Sequence, residues 1–374
     1  MKHNAVVRVL FLLLIGVSVL GQLGRVQITN SIAFTLADFL ILLFDVYFVL
    51  FKKLVIPPAA LIVFLAWTVI MGHFSLAGAA YTMRFGIYVY FGWLLVESVK
   101  QKIILGDEIK KSIVFWIMGL AIIGILQYIF VPDVRLLKFL GWDDHYFRAI
   151  STIFDPNFFA ALLVGGIIIT KKNLKVPLAL CIVALLLTYS RAGYVAFAVG
   201  MIGLFIIYRQ KIYLGLLAAF MIGILLLPRP SSEGARLERT ASINSRVESM
   251  SASVSNLNLS TVILGNGWYS LRDVKPVSSY QRIIVPNHAS APDNSLLFLF
   301  SSLGIIGMIL WVGLLLVQLK TARWGKDAML IGATFAVGSL FSNVLFYPAV
   351  LLFLSLTMGY SASLVSGRSP KSRR

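Results

Sequence analysis

The side chains with chemistry to offer sit at the edges of long apolar runs. Arg84 and Arg191 stand at the ends of such runs and not in mid-loop. An arginine at that depth carries an insertion cost and is usually partnered. Its planar fork binds phosphate oxygens in pairs and stays charged when partly buried. The chemistry on offer is capture of a phosphate or diphosphate anion. The simpler reading is an arginine that snorkels to the headgroups of anionic lipids.

A second group, Asn287-His288-Ala289-Ser290-Ala291-Pro292-Asp293-Asn294, immediately precedes another apolar run. His288, with an ordinary pKa of about 6.5, can take a proton from a hydroxyl at neutral pH. Asp293 can do so where desolvation raises its pKa. The plainer alternative makes Asp293-Asn294 a helix cap and His288 an exposed loop residue. Asp155-Pro156-Asn157 reads as a helix start, with Asp155 at the N-cap and Pro156 in the first turn. A helix N-terminus attracts anions, although Asp155 opposes one there. Asp143-Asp144-His145 has the composition of a metal cluster, but adjacent loop acids are commonly solvated and no metal is expected. Gly265-Asn266-Gly267 lacks the Lys-Ser/Thr of a phosphate loop and reads as a turn. Asp38 and Asp45, seven residues apart on one helix face, are acids of the kind a proton-coupled carrier uses.

The scaffold that must hold these groups is set by composition. The 374 residues are 59% hydrophobic and only 13% charged, with a net charge of +18 and a mean hydropathy of +0.89. Soluble domains carry roughly 25% charged residues. The expected class is therefore an all-α integral membrane protein. Cys181, the one cysteine, lies inside an apolar run, which excludes a disulfide framework and a cysteine-based metal site. The positive charge falls in short segments between apolar runs, so nucleic acid is not an expected partner.

A spanning helix needs about 20 apolar residues. On that rule spans are expected at 5–23, 32–51, 54–72, 82–98, 113–131, 157–170, 176–190, 192–208, 212–228, 295–318, 328–343 and 347–365. That makes about twelve, two of them short. With Lys2 and Arg8 cytoplasmic, 20 of the 33 basic residues fall on the cytoplasmic side. Of the 13 outside, seven lie in one long loop that the positive-inside rule discounts. Both termini are then expected inside. The outer side carries two polar segments, 132–156 and 229–294. The first holds an amphipathic stretch, Val134–Trp142, suited to the interface. The second is too long for a mere connector.

The two faces differ in their cations. Lysine dominates the cytoplasmic side, whereas the outer face has Arg25, Arg84, Arg135, Arg148, Arg191, Arg229, Arg236, Arg239, Arg246, Arg272 and Arg282 with only Lys138 and Lys275. Lysine suffices to fix topology. Arginine on the other face points to an outward-facing anion site or to headgroup anchoring.

The order of motifs is familiar. Phe154-Asp155-Pro156-Asn157-Phe158-Phe159-Ala160 is followed by Thr188-Tyr189-Ser190-Arg191-Ala192-Gly193. A long outer loop ends beyond Ile263-Leu264-Gly265-Asn266-Gly267, and Asp293-Asn294-Ser295-Leu296 then leads into Leu303-Gly304-Ile305-Ile306-Gly307. This arrangement, over roughly residues 60–360, resembles the O-antigen ligase/polymerase superfamily of bacterial surface-polysaccharide assembly. The resemblance implies a GT-C-like membrane glycosyltransferase of the inner membrane, with its active face outside and no cofactor. The implied donor is a glycan on undecaprenyl diphosphate. The acceptor is another lipid-linked repeat unit for a polymerase, or lipid A core for a ligase. By position, Arg191 and Arg246 look like the family's diphosphate-binding arginines, with Arg84 as a further one. Asn157, Asn294 and Arg282 are supporting residues. His288 or Asp293 is the expected catalytic base. Ligases tend to place His directly before the Asn that opens the post-loop helix. Here that position is Asp293, which tilts the expectation toward a polymerase. A lipid-linked-sugar flippase or proton-coupled transporter is the remaining alternative, and would depend on Asp38 or Asp45.

Overall fold

The computed structural model describes the chain apart from residues 1, 30–31, 53–54, 74, 141, 144, 172–174, 229, 231–250, 252–257, 270–292 and 367–374. Each of the twelve apolar stretches is a helix. In chain order they are α1 (Lys2–Ser18), α2 (Leu36–Phe51), α3 (Ala59–Met71), α4 (Leu76–Lys100), α5 (Gly106–Phe130), α6 (Pro156–Thr170), α7 (Lys175–Leu187), α8 (Arg191–Tyr208) and α9 (Ile212–Leu226). A short α10 (Leu259–Leu264) precedes α11 (Ser295–Ala322), α12 (Lys326–Ser339) and α13 (Pro348–Ser366). One small departure from an all-helical chain is an antiparallel pair, β1 (Arg25–Gln27) and β2 (Ala33–Thr35), that turns α1 into α2.

Four helices, α5, α8, α11 and α13, are long and apolar enough to cross a bilayer by length and composition. Helices such as α3, α6, α7 and α9 are apolar but shorter. Leu12, Leu13, Ile62, Val63, Leu225, Leu226, Ile309 and Leu316 are all exposed on helix surfaces. So many exposed apolar side chains on helix surfaces call for a lipid solvent. The chain is a multi-pass membrane protein.

Side-chain bonds sort the connections onto two ends. At one end Thr152 Oγ1 donates to Val19 O at 2.7 Å and Trp116 Nε1 to Ser18 O at 2.9 Å. The described residues of 19–35, 131–155 and 188–190 gather there, with 227–228, 293–294 and 340–347. At the opposite end Lys171 meets Asp327 at 2.5 Å, and the Tyr208 hydroxyl donates to the same carboxylate at 2.6 Å. That network ties the last turns of α6 and α8 to the first of α12. Helices α2, α4, α6, α8, α11 and α13 therefore all begin at the first end, where their dipoles place positive partial charge.

Helix α11 is broken at Gly304, whose φ of 65° and ψ of −169° interrupt an otherwise continuous apolar run. The freed carbonyls are taken up from outside the helix, as a lipid environment demands. Asn266 N donates to Ser301 O at 2.7 Å, Gly267 N to Ser302 O at 3.0 Å, and Trp67 Nε1 to Leu303 O at 3.1 Å. The turn Gly265-Asn266-Gly267 thus plugs the break. A Cβ on Gly304 would stand 2.2 Å from Ile263 O, so only glycine fits.

Candidate active site

Two helix starts form the centre of the first end. Asp155 caps α6, its Oδ1 accepting from Asn157 N at 2.7 Å and Phe158 N at 2.9 Å, and Pro156 follows at N1. The expected helix start is present as such. Ser190 caps α8 by accepting from Gly193 N at 3.2 Å. The same hydroxyl donates to Asn157 Oδ1 at 2.8 Å, which clasps one helix start to the other. Close approach is possible because Gly193 lies against Ala160; a Cβ there would come within 2.4 Å of the alanine Cβ. Arg191 is the first residue of α8 and is partly exposed at the rim of this junction.

The turn before Arg191 is held from the segment between α5 and α6. Buried Arg148 donates through Nε to Thr188 O at 2.9 Å, and Ala149 N donates to Leu187 O at 2.8 Å. Tyr189, at a φ of 49°, sends its hydroxyl to Pro228 O at 2.7 Å. Tyr347, just ahead of α13, donates to Ile153 O at 2.7 Å, accepts from Gln22 Nε2 at 2.9 Å and stacks on Phe158 at 4.2 Å. Its hydroxyl is within electrostatic reach of Asp155, Arg25 and Arg84.

The post-loop helix closes the ring of contacts. Asn294 caps α11 through Leu296 N at 2.9 Å and Leu297 N at 3.0 Å, and its amide donates to Leu340 O at 3.3 Å. Asp293 is partly buried beside it. Trp268 is buried against Phe298 and Phe346, and Tyr269 stacks on Tyr81 at 4.4 Å, so the foot of the long loop is bolted to α4 and α11.

Arg84 is not at a helix end. Ser75 caps α4 well before the expected start at 82, accepting from Gly78 N at 3.0 Å. Arg84 consequently lies about 12 Å along the helix from its first residue. There it pairs with Asp38 at 3.0 Å, donates to Ala33 O, and faces the rings of Phe34 and Tyr81 at 4.6 and 5.2 Å. Asp38 also accepts from the Thr35 hydroxyl at 2.9 Å. Asp45 is buried on the same face, and neither of its carboxyl oxygens has a hydrogen-bond partner.

Asp143, His145 and Asp155 bring their ligand atoms within 4.8 Å of one another. Burial pushes the Asp155 carboxyl above the ordinary carboxylate range, and the nearby Asp143 adds to this. The N–H groups of Phe158 and Asn157 and the Arg148 guanidinium oppose it. His288, Arg246, Arg282 and Asp144 lie outside the described residues. Ser190, Arg148, Tyr347 and Trp268 were not singled out by sequence reasoning. Only Ser190 carried a local signal, a Ser three residues ahead of Gly193 at a helix start.

Residues 176–312 match the family model Wzy_C, described as O-antigen ligase. No curated protein matches the chain. The matched segment runs from α7 through the clasp residue Ser190, Arg191, the long loop and the Gly304 break. It supports a function of the polysaccharide polymerase or ligase kind and hence a glycosyltransferase-like enzyme. The match of residues 176–312 to an O-antigen ligase model is consistent with the O-antigen ligase/polymerase superfamily that the order of motifs resembles.

Proposed function

We propose that the protein is a bacterial surface-polysaccharide polymerase of the inner membrane that works on the outer face, both termini lying in the cytoplasm. The donor is a glycan on undecaprenyl diphosphate, and the acceptor is the hydroxyl of another lipid-linked repeat unit. The observation that carries this reading is the junction of Asn157, Ser190 and Arg191 at two helix starts, within and beside the matched segment. Helix N-termini and a guanidinium fork are complementary to a diphosphate.

The chemistry is a single displacement. His288 or Asp293 takes the proton of the acceptor hydroxyl, whose oxygen forms a bond to the anomeric carbon. The bond from that carbon to the diphosphate oxygen breaks, and undecaprenyl diphosphate leaves with the electron pair. Arg191 and Arg246 hold its charge, with Arg84 as a further candidate. Inversion at the anomeric carbon follows. Because a diphosphate is already a good leaving group, arginines stabilise the departing charge without a general acid or metal.

A ligase is the second reading, favoured by the description of the matched family. Its acceptor would be lipid A core. A deletion strain separates the two. A polymerase mutant leaves single repeats capping its surface lipid. A ligase mutant leaves naked core, with polymer still on undecaprenyl diphosphate. A strain with neither defect, but with lipid-linked repeats trapped on the cytoplasmic side, would replace both readings with a flippase. The sidedness has its own test. Ser260, exposed at the foot of the long loop, should react as Ser260→Cys with an impermeant thiol reagent in outer-permeabilised cells. Labelling only after inner-membrane lysis would overturn the topology.

A further inference from the structure

We propose that the cleft between the starts of α7 and α9, at the end of the bundle opposite the Asn157–Ser190 clasp, binds one anionic phospholipid of the phosphatidylglycerol type. The cleft has a volume of about 630 Å³ and is lined by Lys175, Gln210 and Lys211 together with Leu178, Ile212 and Leu216. Lys175 and Lys211 stand at the two helix starts. Leu178 and Leu216 lie about one turn farther in. A phospholipid has the same division, a charged phosphate at its end and apolar chains behind it.

The polar groups of the cleft are not engaged elsewhere. Among the described residues neither Lys175 nor Lys211 has a hydrogen-bond or ion-pair partner, whereas nearby Lys171 is bound to Asp327 at 2.5 Å and to the Tyr208 hydroxyl at 2.9 Å. That pairing also neutralises Asp327, the acid within electrostatic reach of Tyr213 in the first turn of α9. Lys211 occupies the cap position of α9 and makes no side-chain hydrogen bond to the first-turn N–H groups. Two ammonium groups and two positive helix ends therefore meet at one place, which suits a phosphate. Gln210 Oε1 is buried and accepts no hydrogen bond. A buried acceptor calls for a donor. The hydroxyls of a glycerol headgroup supply one, and a choline headgroup has none.

The cleft is entered from the lipid side. Val176, Ile212 and Leu214 are exposed on the same two helices, so an acyl chain can lie along them. A lipid seated here would brace α9, which packs against α8 and α7 and leads into the long loop. The proposal is independent of the transfer reaction and of which leaflet this end of the bundle meets.

The test is lipid binding by the full-length protein in detergent, read by native mass spectrometry. After delipidation the protein is titrated with dioleoyl phosphatidylglycerol, with dioleoyl phosphatidylcholine and with inorganic phosphate. One phosphatidylglycerol per chain should bind at least about tenfold more tightly than phosphatidylcholine, and inorganic phosphate should not displace it. Lys175→Gln and Lys211→Gln should each weaken that binding about fivefold, the worth of one basic residue at a lipid surface. Both lysines are exposed, so these variants leave the fold intact. Lys320→Gln, exposed at the end of α11, removes the same charge at the same end of the bundle and should leave the affinity unchanged. Equal affinity for the two lipids would overturn the proposal. So would an equal loss in Lys320→Gln, which would make the attraction diffuse. Displacement by inorganic phosphate would also overturn it, because the apolar wall would then have no part.

Discussion

Ser190 Oγ donates to Asn157 Oδ1 at 2.8 Å, so that α8 begins against the start of α6. The next residue, Arg191, inherits its position from that bond. A double-mutant cycle on Asn157→Ala and Ser190→Ala should therefore show coupling of about 1 kcal/mol in stability, the net worth of a neutral hydrogen bond. Each single variant should also slow glycan transfer by more than about tenfold, since a 1 Å misplacement can cost roughly a hundredfold. Strictly additive losses in the cycle would mean that the clasp holds nothing.

Asp155 gives a pH signature. Burial raises its folded pKa above the ordinary value of 3.8, so the native state holds the proton more tightly than the unfolded chain. Its favourable contribution is complete below the unfolded pKa and declines as the pH climbs toward the raised native value. Wild type should therefore lose stability relative to Asp155→Asn as the pH rises through and above the carboxylate range. At low pH, where both side chains are neutral, the two should melt alike. Asp155→Ala should cost about 1 kcal/mol more than Asp155→Asn by losing the cap. Parallel melting curves for wild type and Asp155→Asn at every pH would show that the carboxyl is not desolvated.

Gly304 should tolerate no side chain. Its backbone conformation is essentially reserved for glycine, and a Cβ would collide with Ile263 O. Gly304→Ala should lose about 3 kcal/mol or more from strain and overpacking together, read as poor accumulation in the membrane. Gly313, in the same helix, has nothing within 4 Å of its Cβ position, and Gly313→Ala should be neutral or slightly stabilising. Equal accumulation of the two variants would contradict the break in α11.

The buried pair of Asp38 and Arg84 predicts rescue. Arg84→Leu alone leaves a buried carboxylate uncompensated, at a cost of about 3–5 kcal/mol. Asp38→Leu combined with Arg84→Leu should restore accumulation, because two well-packed apolar side chains can replace a buried ion pair. If Arg84 also reaches the donor, the restored double variant should bind it roughly tenfold more weakly, the loss of one charge-assisted contact. Full donor affinity in that variant would confine Arg84 to its ion pair.

The helices were legible because burial in lipid writes itself as unbroken apolar runs; all twelve stretches fold as helices. The local chemistry of the α6 start was legible too, since Asp155 and Pro156 act on their immediate neighbours. The partner of Asp38 was not, because Arg84 stands 46 residues away and only packing brings it there. The start of α4 lies earlier than expected because Ser75 caps a first turn of mostly small residues, Ala77, Gly78 and Ala79, that adds little to hydropathy, and Arg84 therefore lies farther from the helix end than its sequence position suggests. The Gly304 break leaves no trace in hydropathy, since both halves of α11 are equally apolar. The segment between α5 and α6 tells the same story. Asp143 and His145 read as loop residues until the chain folds them against Asp155. His288, Arg246 and Arg282 fall outside the described residues, so their roles rest on the order of motifs alone.

The central claim, that of the proposed function, is that the Arg191 fork at the start of α8 holds a diphosphate while His288 or Asp293 activates the acceptor. The most direct measurement is glycan transfer in membranes containing equal amounts of wild type, Arg191→Ala and Arg191→Lys. Transfer should be abolished in the first variant and recover little in the second, because a point charge cannot replace the bidentate fork. The companion variants His288→Ala and Asp293→Asn should split, one losing at least about a hundredfold in turnover and the other little. Near-normal transfer by Arg191→Lys would contradict the account, reducing Arg191 to a surface charge.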